Sequence, residues 1–300
     1  MINTSAYFSM ETMYPKKSLG QHFLHDENIA RKIVGSLNPA IPLVLEIGPG
    51  KGILSKYLLE NPAFDPWFVE IDRESVAYLK QLYPAMTDRL IEADFLKLDL
   101  VEFVIYPSPN PSPSREGSKP PSGGLGVQTS NQQPATRIQI LGNFPYHISS
   151  QILFRVLEYR EIVQEVTGMF QQEVAQRIAN PPGSKQYGIL SVLLQAFYQI
   201  EYLFTVSETV FIPPPNVKSA VLKLVRNEVK LLDCDEKFWV TVVKTAFNQR
   251  RKTLRNSLRK LAPPEFPKFD DPIFDLRPEQ LPVADFVKLA RMLHPESLEK

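Results

Sequence analysis

The sequence predicts an α/β fold, with a seven-stranded, mostly parallel sheet and a small helical C-terminal domain. Two observations support this class. From about residue 43 onward, short apolar runs alternate with stretches of helical spacing, and from about residue 230 the chain becomes helical and basic. Alternating strands and helices are typical of parallel strands joined by right-handed crossovers.

Apolar runs bounded by turn residues predict the strands, and helical spacing predicts the helices between them. The strands are expected at 43–48, 67–72, 89–95, 137–143, 163–171, 200–206 and 219–226. The helices are expected at 51–60, 73–83, 150–159, 172–180 and 188–198. A Pro-rich loop without a helix joins the last two strands, so we expect these to be antiparallel neighbours and one strand to be reversed.

Two segments are not expected to enter the sheet. The first 20 residues lack the apolar core of a secretory signal and are expected to form a loose tail. In 107–136, 17 of the 30 residues are Pro, Ser or Gly, a composition that cannot build a core. We therefore predict a flexible insertion at 107–136, and a domain boundary between residues 228 and 229.

Composition and charge narrow the class of protein. The net charge is +1, so a nucleic-acid partner would need locally concentrated cations. The single cysteine, Cys234, permits no internal disulfide, which fits a reducing cytoplasm. No apolar run approaches the ~20 residues of a membrane helix. We expect a cytoplasmic monomer with no metal site and no membrane partner.

Locally concentrated cations occur in the C-terminal region. Apolar residues at spacings of three, four and seven predict one helix over 238–261, and residues 244–260 contain no acidic residue. The candidate RNA-binding cations are Arg250, Arg251, Lys252, Arg255 and Arg259. Three of them recur every four residues, which predicts a stripe beside the apolar face. The stripe favours contact with phosphates; the alternative is a solvated helix face.

Polar groups follow three of the predicted parallel strands. "LEIGPGKG" (45–52) turns from strand to helix through glycines, which allow a ligand to approach the backbone. Glu70 closes the second strand and can accept both hydroxyls of a ribose, while Asp94 closes the third and can accept from an exocyclic amine. For each acid alone, the alternative is a helix N-cap. Together they suit adenosine without a pyrophosphate, and S-adenosylmethionine fits.

This arrangement resembles the class I methyltransferases, whose first motif, E-x-G-x-G, is matched by Glu46, Gly48 and Gly50. The resemblance implies a Rossmann-like seven-stranded methyltransferase sheet. After the fourth strand, "NFPY" (143–146) is similar to the [DNS]-[IVLF]-P-[YFW] motif of enzymes that methylate exocyclic amino groups of bases.

That motif implies four catalytic residues. The amide oxygen of Asn143 and the backbone carbonyl of Phe144 would accept the two hydrogens of an adenine N6 amine. Pro145 would hold the backbone between them, and Tyr146 would stack on the base. Positioning would then be the main catalytic device, because the sulfonium of the cofactor is a strong electrophile.

Four segments narrow the resemblance to the small-subunit ribosomal RNA adenine dimethyltransferases: 15–34, 143–149, 211–224 and 246–258. The family implies transfer of methyl groups to N6 of two adjacent adenosines, in a hairpin near the 3′ end of 16S rRNA, during biogenesis of the small ribosomal subunit. It implies that 1–228 is the methyltransferase domain and 229–300 the RNA-binding domain. The residues implied to bind S-adenosylmethionine are His22, Leu24, Gly48, Glu70, Asp94 and Asn143.

The chain departs from the family at three of these places. The family commonly has Asn where His22 stands, Leu where Phe144 stands, and Asp where Lys218 stands. Lys16 and Lys17 would flank the cofactor cleft if the N-terminal segment folds over it as a lid.

Two other functions are compatible with parts of the sequence. One is the related large-subunit RNA methylase that confers macrolide resistance, which shares the core and differs in its C-terminal domain. The other is a non-catalytic ribosome-assembly factor that keeps the fold and binds RNA. The complete set of cofactor residues argues against the assembly factor. "FIPPPNVKSAV" (211–221) and the basic region favour the small-subunit enzyme by resemblance.

Overall fold

A computed structural model describes residues 14–109, 137–262 and 269–294. Its strands are β1 (Phe23–Leu24), β2 (Leu43–Ile47), β3 (Asp65–Glu70), β4 (Leu90–Glu92), β5 (Ile138–Asn143), β6 (Val163–Gln171), β7 (Tyr198–Val206), β8 (Phe211–Ile212) and β9 (Ser219–Arg226). Seven of them form one sheet in the order β4-β3-β2-β5-β6-β9-β7. The short strands β1 and β8 pair with each other and were not predicted.

Helices connect the strands and continue after the sheet. The α-helices of the described residues are α1 (Glu27–Val34), α2 (Ile53–Glu60), α3 (Arg73–Leu82), α4 (Leu100–Ile105), α5 (Ser149–Glu158), α6 (Gln172–Ala179), α7 (Ile189–Gln195), α8 (Glu236–Asn248), α9 (Leu254–Ser257) and α10 (Val283–Leu293). Helix α7 ends three residues earlier than predicted, and β7 begins two residues earlier.

The central strands are parallel, and a reversed strand follows them. β2 pairs in parallel with β3 and β5, β3 with β4, and β5 with β6, whereas β9 is antiparallel to β6. All five residues of β2 are buried, as expected for a strand covered by helices on both faces of a parallel sheet. The predicted α/β fold with its seven-stranded sheet and a reversed strand is confirmed.

The described residues form two compact units, which differ from the predicted linear division. One unit falls within Met1–Gln172 and Leu203–Val225, and the other within Glu173–Tyr202 and Arg226–Lys300. The second unit therefore includes a segment that precedes the predicted boundary at 228/229.

Contacts within the second unit explain this difference. The backbone N–H of Gly183 donates to the carbonyl of Glu279 at 2.7 Å, and the ring of Phe197 packs edge-on against Trp239 at 6.3 Å. Trp239 is fully buried. These contacts join parts of the chain that are far apart in sequence, and they place 173–202 with the C-terminal helices. The predicted boundary rested on local composition, which carries no information about such contacts.

The predicted continuous helix over 238–261 is wrong. Helix α8 ends at Asn248, a turn follows, and the short helix α9 begins at Leu254. The backbone N–H of Leu254 donates to the carbonyl of Leu276 at 2.9 Å, a tertiary partner in place of the i−4 carbonyl of a continuing helix. The stripe of Arg251, Arg255 and Arg259 is wrong for the same reason, because these residues do not share one helix.

Two predicted features fall largely outside the described residues. They are 1–13 of the expected tail and 110–136 of the expected insertion at 107–136. Across the three described segments, no helix combines the length and the apolar character needed to cross a membrane.

Candidate functional site

A cavity of about 220 Å³ lies at the carboxyl ends of β2, β3, β4 and β5. Its lining includes every residue predicted to bind the cofactor and every residue of the NFPY motif: His22, Leu24, Gly48, Glu70, Asp94, Asn143, Phe144, Pro145 and Tyr146. Parallel strands place their carboxyl ends at one edge, which is where ligands bind in such sheets. The structure thus brings together residues that lie up to about 120 positions apart in the chain.

The chain leaves β2 through a glycine turn that exposes its backbone. Gly48 has a φ of 65°, a left-handed conformation that favours glycine. A Cβ built at this position would have no atom within 4 Å, so the backbone of Gly48 faces open space in the cavity. A ligand can therefore approach the backbone of this turn closely.

Glu70 connects the end of β3 to the glycine turn. Its Oε2 accepts a hydrogen bond from the N–H of Gly50 at 3.2 Å, and its Oε1 accepts from the N–H of Asp72 at 3.0 Å. Burial raises the pKa of Glu70, and these two backbone N–H groups oppose that rise. A carboxylate has about four lone-pair sites, so Glu70 retains acceptor sites for two ribose hydroxyls.

A second acid, Glu46, lies in the cavity wall one strand away. It is 1% exposed, and the hydroxyl of Ser55 donates to its Oε2 at 2.7 Å. Burial raises the pKa of Glu46 to about 8, and the charge of Glu70 acts in the same direction. Glu46 is therefore mostly protonated at neutral pH, which the motif match alone did not predict.

Asp94 follows β4 and caps a turn. Its Oδ1 accepts from the N–H of Leu96 at 3.0 Å and so caps the short 3₁₀ turn Phe95–Lys97. This turn ends the predicted third strand three residues early. Within the described residues, the other carboxylate oxygen of Asp94 has no hydrogen bond. The acid can therefore act as a cap and still accept from a ligand amine.

Residues 16–24 are here called the N-terminal strap, and 19–24 form one wall of the cavity. The Nζ of Lys16 lies 2.6 Å from Asp72 Oδ1 and 3.1 Å from Glu74 Oε1. Burial alone would raise the pKa of Asp72, but the hydrogen bonds from Lys16 and Ser75 outweigh it and lower that pKa. The predicted loose tail is thus wrong for residues 16–20: the ion pair attaches Lys16 to the segment after β3, Lys17–Leu19 form a 3₁₀ turn, and Gly20 lines the cavity.

Backbone and side-chain contacts hold the rest of the strap. Phe23 of β1 pairs with Ile212 of β8. The Nδ2 of Asn143 donates to the carbonyl of His22 at 2.8 Å, and the Nδ1 of His22 donates to the carbonyl of Pro213 at 2.8 Å. The contact to Asn143 uses the backbone of His22, so it does not depend on which side chain stands at position 22.

The ring of Tyr146 is held from two sides. Its hydroxyl lies 2.6 Å from Ser219 Oγ, and its ring stacks on the imidazole of His22 with centroids 5.7 Å apart at 25°. Burial raises the pKa of Tyr146, so the phenol stays neutral under physiological conditions. Sequence reasoning did not identify Ser219, although it falls inside the conspicuous segment "FIPPPNVKSAV".

The predicted RNA-binding cations lie in the second compact unit, and none of them lines the cavity: Arg250, Arg251, Lys252, Arg255 and Arg259. Arg251, Lys252 and Arg259 are exposed. Arg250 donates to the carbonyl of Lys185, and the Nη2 of Arg255 lies 2.7 Å from Asp275 Oδ1. Two of the five cations therefore already have partners within the protein.

Comparisons with known proteins identify the family. The sequence profile described as "Ribosomal RNA adenine dimethylase" matches residues 14–293. The chain belongs to the ribosomal RNA adenine dimethylase family. It is 50% identical to "Ribosomal RNA small subunit methyltransferase A" of Parabacteroides distasonis, over 97% of this chain and 98% of the relative. It is also 50% identical to the protein of that name in Flavobacterium johnsoniae, over 97% and 100%.

Solved structures agree on the fold. A dimethyladenosine transferase from Plasmodium falciparum superposes with a TM-score of 0.66 at 23% identity, covering 89% of this chain and 96% of that one. The 23S rRNA methyltransferase ErmE superposes with a TM-score of 0.58 at 21% identity, covering 89% and 99%. These likenesses show that the adenine dimethylase chain has the fold of ribosomal RNA methyltransferases.

Membership in the adenine dimethylase family confirms the predicted enzyme class, an S-adenosylmethionine-dependent ribosomal RNA adenine dimethyltransferase. It also confirms S-adenosylmethionine as the cofactor. The roles of individual residues are a separate matter, and they rest on the geometry of the cavity.

Proposed function

We propose that this protein transfers methyl groups from S-adenosylmethionine to N6 of two adjacent adenosines in a hairpin near the 3′ end of 16S rRNA. One observation carries the proposal. Asn143 donates its Nδ2 hydrogen to the carbonyl of His22, and the amide is thereby oriented beside the cavity that Gly48, Glu70 and Asp94 line. With the N–H group engaged, the amide oxygen is the group left to accept from a substrate amine.

The strand-end residues fit the cofactor. Glu70 would accept from the ribose hydroxyls, Asp94 would accept from the adenine amine, and the exposed backbone at Gly48 would admit the rest of the molecule. His22 and Leu24 close the cavity from the N-terminal strap. When bound, S-adenosylmethionine supplies an electrophilic methyl group.

The NFPY segment handles the target adenosine. The amide oxygen of Asn143 and the carbonyl of Phe144 accept hydrogen bonds from the two N6 hydrogens. The lone pair of N6 is thereby directed toward the methyl group that it attacks. Tyr146 stacks on the base, with its ring orientation set by Ser219 and His22. A base in a hairpin must leave the stack to reach such a site, and stacking on an aromatic ring compensates part of that cost. Orientation of the amine is the main catalytic contribution.

RNA affinity comes from a different part of the chain. The exposed cations Arg251, Lys252 and Arg259 contact phosphates of the ribosomal RNA, which contributes affinity without reading sequence. Arg250 and Arg255 bond to Lys185 and Asp275, so their charges are less available to phosphates.

The relatives support the small subunit as the substrate. The 50% identical proteins of Parabacteroides distasonis and Flavobacterium johnsoniae carry a small-subunit name, whereas the large-subunit enzyme ErmE is 21% identical. We include in the proposal that the enzyme acts in the cytoplasm as a monomer. Its partner is a precursor of the small subunit, and methylation takes part in biogenesis of that subunit.

The test is methyl transfer to isolated ribosomal subunits. The purified protein, labelled S-adenosylmethionine and small subunits that lack the modification should yield N6-methylated adenosines near the 3′ end of 16S rRNA, located by mass mapping of nuclease fragments. Asn143→Ala serves as the inactive control. Methylation of large subunits alone would instead support the macrolide-resistance activity, and binding without methylation would support the assembly factor.

A further inference from the structure

Phe144 is among the residues that line the cavity, and it is almost completely buried. Its ring is 1% exposed and packs edge-on against Phe170, with centroids 5.2 Å apart at 70°. Its neighbours in the chain, Asn143 and Pro145, both line the cavity. The ring thus connects the proposed amine-binding backbone to the core of the sheet.

The ring lies over two glycines that face each other across the sheet. Gly142 of β5 pairs with Gly168 of β6. A Cβ at Gly142 would lie 2.5 Å from Phe144 Cε1, and a Cβ at Gly168 would lie 2.3 Å from Phe144 Cε2. Real Cβ atoms do not approach other atoms so closely, so the space for the ring exists because both positions lack a side chain.

Backbone pairing holds this segment only weakly. The N–H of Phe144 donates to the carbonyl of Met169 at 3.3 Å, beyond the usual 2.7–3.2 Å of such bonds. The next backbone N–H is missing, because residue 145 is a proline. Ring packing in the two-glycine slot therefore adds a restraint on the segment 143–146, beside the side-chain bonds of Asn143 to His22 and of Tyr146 to Ser219.

We infer that Phe144 is a positioning residue, whose ring in the slot formed by Gly142 and Gly168 sets the place of the Asn143 amide and the Phe144 carbonyl. This inference rests on the proposed function, since the groups positioned are those that accept the adenosine amine.

The inference predicts that a smaller side chain at position 144 restores the activity lost when a methyl group is added at Gly168. Gly168→Ala displaces the ring, and Phe144→Leu leaves the slot partly empty, so each should lower kcat for methyl transfer by about tenfold or more. The KM for S-adenosylmethionine should change by less than about threefold, because the cofactor contacts proposed for Gly48, Glu70 and Asp94 lie at the ends of other strands. Combining both changes should return kcat to within about threefold of the wild-type value.

Two controls separate positioning from loss of core packing. Gly142→Ala should not be rescued by Phe144→Leu, because a Cβ there also lies 2.8 Å from the backbone carbonyl of Ile47. The second close contact of a Cβ at Gly168 is instead a side-chain atom, Phe170 Cε2 at 2.9 Å, which can shift once the ring of Phe144 is smaller. Phe103→Leu removes another buried ring, packed edge-on against Trp67 at 5.7 Å, and should lower the melting temperature with kcat within about twofold.

The decisive measurements are kcat, KM and melting temperature for the wild type, the single variants and the two double variants. Independent effects of Phe144→Leu and Gly168→Ala, or a kcat that simply follows melting temperature across all variants, would overturn the inference. Failure of the proposed function has a different signature, since the wild-type protein itself would then transfer no methyl group to small subunits.

Discussion

Asn143 and His22 are 121 positions apart, yet the Nδ2 of Asn143 donates to the carbonyl of His22 at 2.8 Å. This bond joins the NFPY motif, which begins at the last residue of β5, to the N-terminal strap. Because an amide has one donating and one accepting end, the bond also determines which end of Asn143 is left for a substrate. The flanking contacts of His22, to Pro213 and Tyr146, keep the acceptor carbonyl in place.

This bond predicts distinct outcomes for two substitutions at position 143. Asn143→Ala removes the substrate acceptor, and Asn143→Asp keeps an oxygen but loses the donor to His22. Both should lower kcat by about 10²–10³-fold, since each disturbs the positioning of the reacting amine. RNA affinity, measured by filter binding, should stay within a few-fold. Normal turnover by Asn143→Ala would contradict the mechanism.

Glu70 is expected to control cofactor affinity. Glu70→Ala removes the acceptors for the N–H groups of Gly50 and Asp72, as well as those proposed for the ribose. Its Kd for S-adenosylmethionine, measured by calorimetry, should rise by about tenfold or more. Glu70→Gln is the matched variant, which keeps the size but presents an NH₂ group to one of the two N–H donors. Equal affinity for all three proteins would contradict the assignment.

The buried acid Glu46 should make stability depend on pH. Its pKa is about 8 in the folded state, against an ordinary value of 4.5, so between these pH values the folded state binds more protons than the unfolded state. Stability therefore decreases as pH rises through this window, with a slope of at most about 1.4 kcal/mol per pH unit from this group.

Glu46→Gln is the matched variant, because it retains the oxygen that accepts from Ser55 and cannot ionise. Thermal melts without cofactor from pH 5 to pH 8 should show the wild type losing more stability than the variant. A constant difference between the two melting temperatures across this range would show that Glu46 is ionised throughout.

The exposed cations of the second unit are expected to bind phosphates. Changing Arg251, Lys252 and Arg259 together to Ala should weaken binding to small subunits. The slope of log affinity against log salt should become shallower by about two to three units, at 0.7–0.9 per phosphate contact. Arg255→Ala is the control, because this residue is paired with Asp275, and it should change the slope by less than about one unit. Parallel slopes for the wild type and the triple variant would indicate a solvated surface.

Sequence alone determined the features that depend on neighbours in the chain. Local patterns predicted the strand that ends at Ile47, the glycines that follow it and the acids at or just after the ends of β3 and β4. The spacing of apolar residues and the choice of turn residues both depend only on nearby positions. The shared edge of parallel strands then placed them in one site. The NFPY motif was recognisable because two aromatic rings and a proline at a strand end are unusual.

Tertiary structure decided what depends on residues far apart. The break between α8 and α9 accompanies a hydrogen bond from the N–H of Leu254 to the carbonyl of Leu276, a partner that the spacing of apolar residues in 238–261 does not reveal. The strap is held by Asp72, 56 positions from Lys16, and Tyr146 by Ser219, 73 positions away. The protonation of Glu46 depends on its burial, and the position of the Phe144 ring depends on the shape of the space around it. Both are set by packing between strands and helices, which no local pattern of residues specifies.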